Sequence, residues 1–300
     1  MTVSGFESRF ALGVQHASNP ATQEFDHFGC DINKRETLVK SDGMQGSRSP
    51  IGDGTQAGNY SVGGTVTIEP RADDLTFLFP YILGGTESTD SFPLADTVPE
   101  LMCTVDKGIK VYTYRGMKVN SATFRSSKGG NLSLELNLEG TLADSAGAAG
   151  SFPSIAATVS AKLPFLHSES TITMTATSDV IPVDNVVISI GNNLNLDNFN
   201  NSQTRTSIPE GPRTVTFGFD TEFGSTEESK LIASAARGIS GNIVYADGTD
   251  TLTFTFGILQ KPETPIPVRG KGLIRPSFNF ESMKDLANSV EMIAVTSTDA

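Results

Sequence analysis

The sequence predicts a mainly β protein built as two tandem β-sandwich or barrel domains, each flanked by one short α-helix. Three observations predict it: a strand-and-turn composition, apolar residues that recur with period two, and a duplication of the whole pattern. With 18 Phe, no Trp and 29 Gly among 300 residues, and with Thr and Ser recurring throughout, the composition suits strands and turns better than packed helices. A chain of this length holds one large or two ordinary domains.

Taken in order, Met1–Phe25, like Ser289–Ala300 at the other end, reads as a candidate arm between subunits or a frayed end, and the first recognisable block is Ser47-Arg48-Ser49-Pro50-Ile51. A Gly-rich loop leads from it to the alternating run Tyr60–Ile68, then to Asp73-Asp74-Leu75-Thr76-Phe77-Leu78 and Gly84-Gly85. The second half repeats the order: Thr204-Arg205-Thr206-Ser207-Ile208, then Arg213–Phe219, then Glu227-Glu228-Ser229-Lys230-Leu231-Ile232 and Gly238. Two further blocks keep step. Asp106-Lys107-Gly108 before Val111–Gly116 parallels Asp247-Gly248 before Leu252–Gly257, and Gly130 before Leu134–Glu139 parallels Gly272 before Pro276–Glu281. Four blocks in one order indicate a duplication. Between the halves, the small residues Ala143–Ser151 read as unable to pack or hold a ladder. The expected division is 1–145, a linker at 146–155, and 156–300.

Leu132, Leu134, Leu136 and Leu138 alternate with polar residues, as do Val215, Phe217 and Phe219, so each strand has one buried face. Asp247-Gly248 predicts a tight hairpin, with both central residues free to take positive φ. One helix per half interrupts the strands. In the first, Pro70 suits the start and Leu75, Leu78 and Ile82 share a face, while Pro80 is expected to kink or shorten the last turn. In the second, Ser225 stands three before Glu228 in capping-box spacing, Leu231, Ile232, Ala235 and Ala236 share a face, and Gly238 stops it. Pro276 suits an edge or a bulge, not a central strand position.

The formal net charge of −12 leaves no footprint for gripping a phosphate backbone. Two cysteines, Cys30 and Cys103, exclude a disulfide framework and read as free thiols in a reducing cytosol. The start of the chain lacks the basic-then-apolar order of a secretion signal, and Leu75–Leu83 is under half the roughly 20 residues that cross a bilayer. His16, His27 and His167 have no metal-ligand spacing. No nucleophile elbow, P-loop or dinucleotide fingerprint occurs. The pairs Asp73-Asp74 and Glu227-Glu228 stand at helix starts, where they complement the macrodipole. No cofactor and no enzymatic activity are expected.

The ordered set of a Gly-rich loop, a strand, a short acidic helix and a strand pair, best from Arg48 to Gly140 and again from Pro164 to Glu281, resembles the major tail tube proteins of siphoviruses, the long-tailed bacteriophages. Val268–Phe280 is similar to that family's closing strand. The resemblance implies a structural virion protein assembled in the host cytoplasm. Its sandwich domains close in sixes into rings that stack into a tube, through which DNA leaves. Two domains per chain imply trimeric rings with pseudo-sixfold symmetry. Implied partners are further copies of the chain, the tape measure protein and viral DNA in the lumen without tight binding, and the tail terminator and distal tail proteins. No membrane is involved. An acidic chain predicts a bore whose net charge repels phosphate.

The loops Ser41–Asn59 and Asp197–Pro212 are long enough to be functional, and the family's equivalent loop reaches the neighbouring ring. Arg48, Asp53, Arg205, Glu210 and Arg213 are the candidate inter-ring contacts, with Arg48 and Arg205 alternatively fixing their loops by ion pairs. A globular capsid-decoration or host-adhesion β protein, the inner tube of a contractile tail or related injection particle, and a polysaccharide-active enzyme are the competing readings.

Overall fold

The computed structural model describes residues 5–15, 21–40, 49, 55–144, 147, 151–155, 159–175, 180–222, 231, 238–261 and 274–298. The first half contains β1 (Arg9–Val14), β2 (Gln23–Phe25), β3 (His27–Cys30), β4 (Asn33–Lys40), β5 (Thr55–Ile68), α1 (Ala72–Leu83), β6 (Ser91–Phe92), β7 (Leu101–Asp106), β8 (Val111–Ser127), β9 (Ser133–Gly140) and β10 (Leu142–Ala143). The second contains β11 (Ser170–Met174), β12 (Asn185–Gly191), β13 (Thr214–Asp220), β14 (Ile239–Ala246), β15 (Thr251–Gln260), β16 (Ser277–Met283) and β17 (Ile293–Thr298). The protein is mainly β, as the alternation required, with a large antiparallel sheet.

Two layers emerge from the pairings. One is a continuous ribbon of eight antiparallel strands in the order β4-β5-β9-β8-β12-β13-β16-β15. The other is made of two outer sheets, β2-β1-β7-β8-β10 and β11-β14-β15-β17-β6. Seven strands of the first half have counterparts in the second, while β2, β3 and β6 have none among the described residues. β4-β5-β9-β8 corresponds to β12-β13-β16-β15, and β1-β7-β8-β10 corresponds to β11-β14-β15-β17. β8 is seventeen residues long and serves both layers, its first part in an outer sheet and the rest in the ribbon.

One apolar cluster fills the space between the layers and runs through both halves. Leu132, Leu134, Leu136 and Leu138 are fully buried, and Val215, Phe217 and Phe219 nearly so. At roughly 2 kcal/mol for each fully buried large apolar side chain, these strand faces carry much of the folding free energy. Phe79 of α1 meets Phe92, Phe124 and Phe254 at centroid distances of 5.1, 5.9 and 6.1 Å, so the helix of the first half packs on strands of both.

Helix α1 starts after Pro70, and Asp74 turns back to accept a hydrogen bond from the Arg71 amide at 3.2 Å. Pro80 does not shorten it: the helix continues to Leu83, and Gly84, at φ 91°, caps it by donating to the Pro80 carbonyl. Proline removes one intrahelical bond, and the full burial of Ile82 and Leu83 beyond it offsets that loss. Of the second predicted helix, Leu231 is helical and buried, and its other residues up to Ala236 lie outside the described residues.

The Asp247-Gly248 hairpin is present, with a four-residue loop between Ala246 and Thr251. Gly248 alone takes positive φ there; Asp247 instead accepts from the Thr249 and Asp250 amides at 2.8 and 2.7 Å, an Asx-type turn. The matching turn after Asp106 is built alike, with its carboxylate accepting from Gly108 at 2.8 Å. The segment Ala143–Ser151 does hold ladder contacts: Ala143 pairs with Tyr114, and Gly147 bridges to Val111. Small side chains let backbone approach backbone, which the composition alone did not convey. Just beyond, Phe152 and Ile155 pack on Ala11, Ala21 and Met102. Pro276 immediately precedes β16, leaving that central strand free of proline.

Candidate functional site

The two halves join where β12 pairs with β8. Seven residue pairs, from Asn185 opposite Ser127 to Gly191 opposite Ser121, form this ladder, and Thr123 and Ser189 hydrogen bond across it at 3.2 Å. The loop that follows β12 then folds back over the first half and is fixed there by a set of buried polar groups.

Arg205 leads that set. Its guanidinium donates to Glu139 Oε2 at 2.8 Å, to the Gly140 carbonyl at 3.2 Å and to the Leu196 carbonyl at 2.9 Å. The two side chains are 7% and 12% exposed. Gly63, opposite Glu139 in the ladder, makes room for the carboxylate, since a Cβ there would lie 2.6 Å from Oε2. Glu210 accepts from Lys118 Nζ at 2.7 Å and from the Val98 amide at 2.9 Å. Burial alone would raise its carboxyl, but these hydrogen bonds outweigh it and hold the group below its ordinary range. Arg213 donates to the carbonyls of Leu83 and Ala95 at 3.3 and 2.6 Å. Asn192 donates to those of Ile82 and Val119 at 3.1 and 2.9 Å. A cation and an amide from the second half therefore finish the C-terminus of α1, where carbonyls lack partners and positive charge is favoured.

Of the sequence-predicted contact residues, Arg205, Glu210 and Arg213 are thus gathered at one junction inside the chain, while Arg48 and Asp53 lie outside the described residues. Glu139, Lys118 and Asn192 complete the junction. Glu139 could have been noticed as the charged residue that ends the Leu134–Leu138 alternation, but nothing local marks Lys118 or Asn192.

At its β4 edge the ribbon is open. Among the described residues no strand pairs with the far side of β4, all eight of whose residues are exposed, Leu38 and Val39 at 65% and 59%. At the other end, Ile258–Gln260 of β15 pairs with β16 on one side, and Leu259 also pairs with Ile239 of β14. An exposed edge strand with unpaired amides and carbonyls is a template for another strand.

Catalytic geometry is limited to one suggestive spacing. Ser126 Oγ lies 3.0 Å from His167 Nδ1, but Tyr245 OH is 2.8 Å from the same oxygen and His167 Nε2 is 3.0 Å from the Val183 carbonyl. With Nε2 donating to that carbonyl, Nδ1 accepts the Ser126 proton, and Ser126 accepts from Tyr245. All three side chains are buried, so the network ties the halves together instead of presenting a nucleophile. A concavity of about 460 Å³ between Thr173, Met174, Asn242, Phe256 and Asp285 has Asp285 as the one charged group among the described residues of its lining. Among the described residues no His, Cys, Asp and Glu group suits a metal ion, and no helix is long and apolar enough to cross a membrane.

The chain thus presents a β ribbon with a fixed internal seam and an open β4 edge. The family described as phage tail tube protein matches residues 5–282. The chain belongs to that family. No curated protein matches the chain. The tail tube protein is accordingly a structural component of the virion, from a family not known for enzymes whose members self-assemble into a tube with other tail proteins.

Proposed function

We propose that three copies of this tail tube protein close into a ring of six sandwich repeats, and that the rings stack into a siphovirus tail tube through which DNA is ejected. The eight-strand ribbon carries this reading. Each repeat contributes four strands to it, the seam between repeats is the β8–β12 ladder, and the free edge among the described residues is β4, the counterpart of β12. A seam repeated between copies would set β4 of one copy against β15, the counterpart of β8, of the next. Head-to-tail repetition of such a seam closes a ring when the rotation per repeat is right.

Three ribbons give roughly 24 strands, and at ~4.8 Å spacing with the usual tilt they enclose a backbone circle ~50 Å across. A duplex passes through such a bore after side chains are added. The ribbon's polar face, which alternates away from the shared core, would line it. Thr65, Thr67, Thr123, Ser189, Thr216 and Asn279 occupy that face by register together with the charged Glu135, Glu281 and Arg125, and a face of hydroxyls and amides on which carboxylates outnumber guanidinium offers DNA little to hold. The repeats correspond to 1–145 and 156–300 about the segment 146–155. Arg48 and Asp53 act at the seam or between rings, and Arg205, Glu210 and Arg213 shape the corresponding loop of the second repeat. The tape measure protein and viral DNA occupy the bore, and the tail terminator and distal tail proteins meet the ends.

Negative-stain microscopy of the purified protein at high concentration tests this. Tubes of constant width, with a ring mass equal to three chains, are expected. Dispersed particles, or a ring mass of six chains, would overturn the proposal.

A further inference from the structure

The β4–β5 pair outgrows the ribbon. β9 follows β5 only as far as Val62, which pairs with Gly140, whereas β4 stays paired with β5 up to Thr55. Residues 55–61 of β5 and the facing part of β4 therefore form a two-stranded stalk that continues roughly 24 Å past the end of β9, at ~3.4 Å per residue. Its β5 side is held by the chain itself: the Tyr60 amide donates to the Gln203 carbonyl at 2.8 Å, and Gln203 Nε2 donates to the Ala57 carbonyl at 2.9 Å. Its β4 side carries the exposed Leu38 and Val39 and pairs with nothing among the described residues. A two-stranded ribbon is marginal in water by itself, so a stalk held on one side calls for a partner on the other.

A second feature stands at the same rim. Direction alternates along an antiparallel ribbon, so β4, β9, β12 and β16, in first, third, fifth and seventh place, all end there. β9 passes to β10 through Thr141 alone. β16, its counterpart, is followed instead by a hairpin, in which Asp285 and Val290 exchange backbone hydrogen bonds at 2.8 and 3.0 Å. The Asp285 carboxylate accepts from the Ala287 and Asn288 amides at 3.0 and 3.2 Å, and Lys284 pairs with Glu291 across the base at 2.5 Å. These polar groups hold the turn, while Leu286 within it is 81% exposed.

We propose that the β4 side of the stalk docks on the Lys284–Glu291 hairpin of a second copy of this chain, with Leu286 seated against Leu38 and Val39. Within one chain β4 and β16 are six strand steps apart, roughly 29 Å along the ribbon. Where β4 of one copy follows β15 of the next, they are two steps apart, about 10 Å, which side chains on both can span. The made seam shows the same reach, since the segment after β12 crosses β8 to bring Arg205 to Glu139 on β9. Charge agrees as well. β4 carries Lys34, Arg35 and Lys40 against Glu36 in a chain of net charge −12, and the hairpin carries Asp285 and Glu291 against Lys284, so the two attract. The inference rests on the ring reading and adds to it a contact beyond the strand ladder.

Cross-linking tests the docking. Leu38→Cys and Leu286→Cys, each combined with Cys30→Ser, are assembled separately and as a mixture, treated with a flexible bis-maleimide and run on a denaturing gel. Cys103 is buried and does not compete. Dimers are expected from the mixture and from neither variant alone. Leu286→Asp, at an exposed position, is expected to melt as wild type while raising the protein concentration at which tubes pellet about tenfold or more. Wild-type tubes together with a mixture that gives no cross-link, or with an unchanged threshold for Leu286→Asp, overturn the docking and leave the ring standing. Dimers from Leu38→Cys alone would set two stalks against each other and overturn it as well. A wild-type chain that stays dispersed overturns the ring reading itself, and the docking with it.

Discussion

Replacing Arg205 by Met isolates the junction between the repeats, because it keeps the apolar stem and removes the charge. Glu139 is then left with a side chain only 12% exposed and without its cation, and the Leu196 and Gly140 carbonyls each lose a donor. At 2.8 Å two unit charges attract by ~6 kcal/mol if the effective dielectric constant is about 20, a gain opposed by the desolvation of both groups. Breaking one side of such a pair costs about 3–5 kcal/mol, since the surviving charge keeps its desolvation and loses its partner. In the double variant Arg205→Met, Glu139→Gln no buried charge survives, and the cost relative to wild type shrinks to about 1–2 kcal/mol. The double variant is then less destabilised than Arg205→Met alone, so the two positions are coupled and their single costs do not add. Urea unfolding followed by circular dichroism, at protein concentrations too low for association, measures all four members of the cycle. A cost below about 1 kcal/mol for Arg205→Met, or additive single effects in the double variant, would refute the claim that this pair is a buried seam lock and place it with ordinary surface pairs.

Three other outcomes follow from the geometry. Burial raises the Asp74 carboxyl from 3.8 to about 6 despite hydrogen bonds from Arg71 and Gln23. Between those two values the folded chain holds a proton that the unfolded chain has released, so stability falls as pH rises from about 4 to about 6 and is level above, by on the order of 3 kcal/mol in all. Asp74→Asn should flatten that part of a pH series of urea midpoints, and an unchanged slope would count against the assignment. Tyr245→Phe removes the hydroxyl that donates to Ser126 and should cost about 1–2 kcal/mol, with the expected drop in melting temperature as the check. Arg213→Ala uncovers the Leu83 and Ala95 carbonyls, so amide exchange at the C-terminal turn of α1 should quicken while the N-terminal turn is unaffected; equal change at both ends would show global loosening instead.

Strand faces were legible because period two is a local property: Leu132–Leu138 and Val215–Phe219 announce their buried sides within a few residues. The order of the elements was legible as well, since corresponding blocks keep their sequence order and seven strands of each half pair in the same order. Turn details were less so. Asp247 suggested a two-residue hairpin, but its carboxylate binds two amides downstream and shapes a longer loop. Pro80 promised an early stop that the burial of Ile82 and Leu83 overrides, an effect visible only once the helix is packed. Least legible was the junction. Arg205 and Glu139 are separated by 66 positions, and Tyr245 and Ser126 by 119. Which charge meets which depends on the ribbon order, and no spacing rule connects strands that far apart.

The unbroken course of β8 through both layers has a mechanical side. A pull on the second half is handed through the β12 ladder directly into a strand anchored in the outer sheet of the first, with no hinge between. Seven residue pairs must slide together before that joint parts, so strain arriving at one half is spread over the whole molecule instead of opening a crack at its middle.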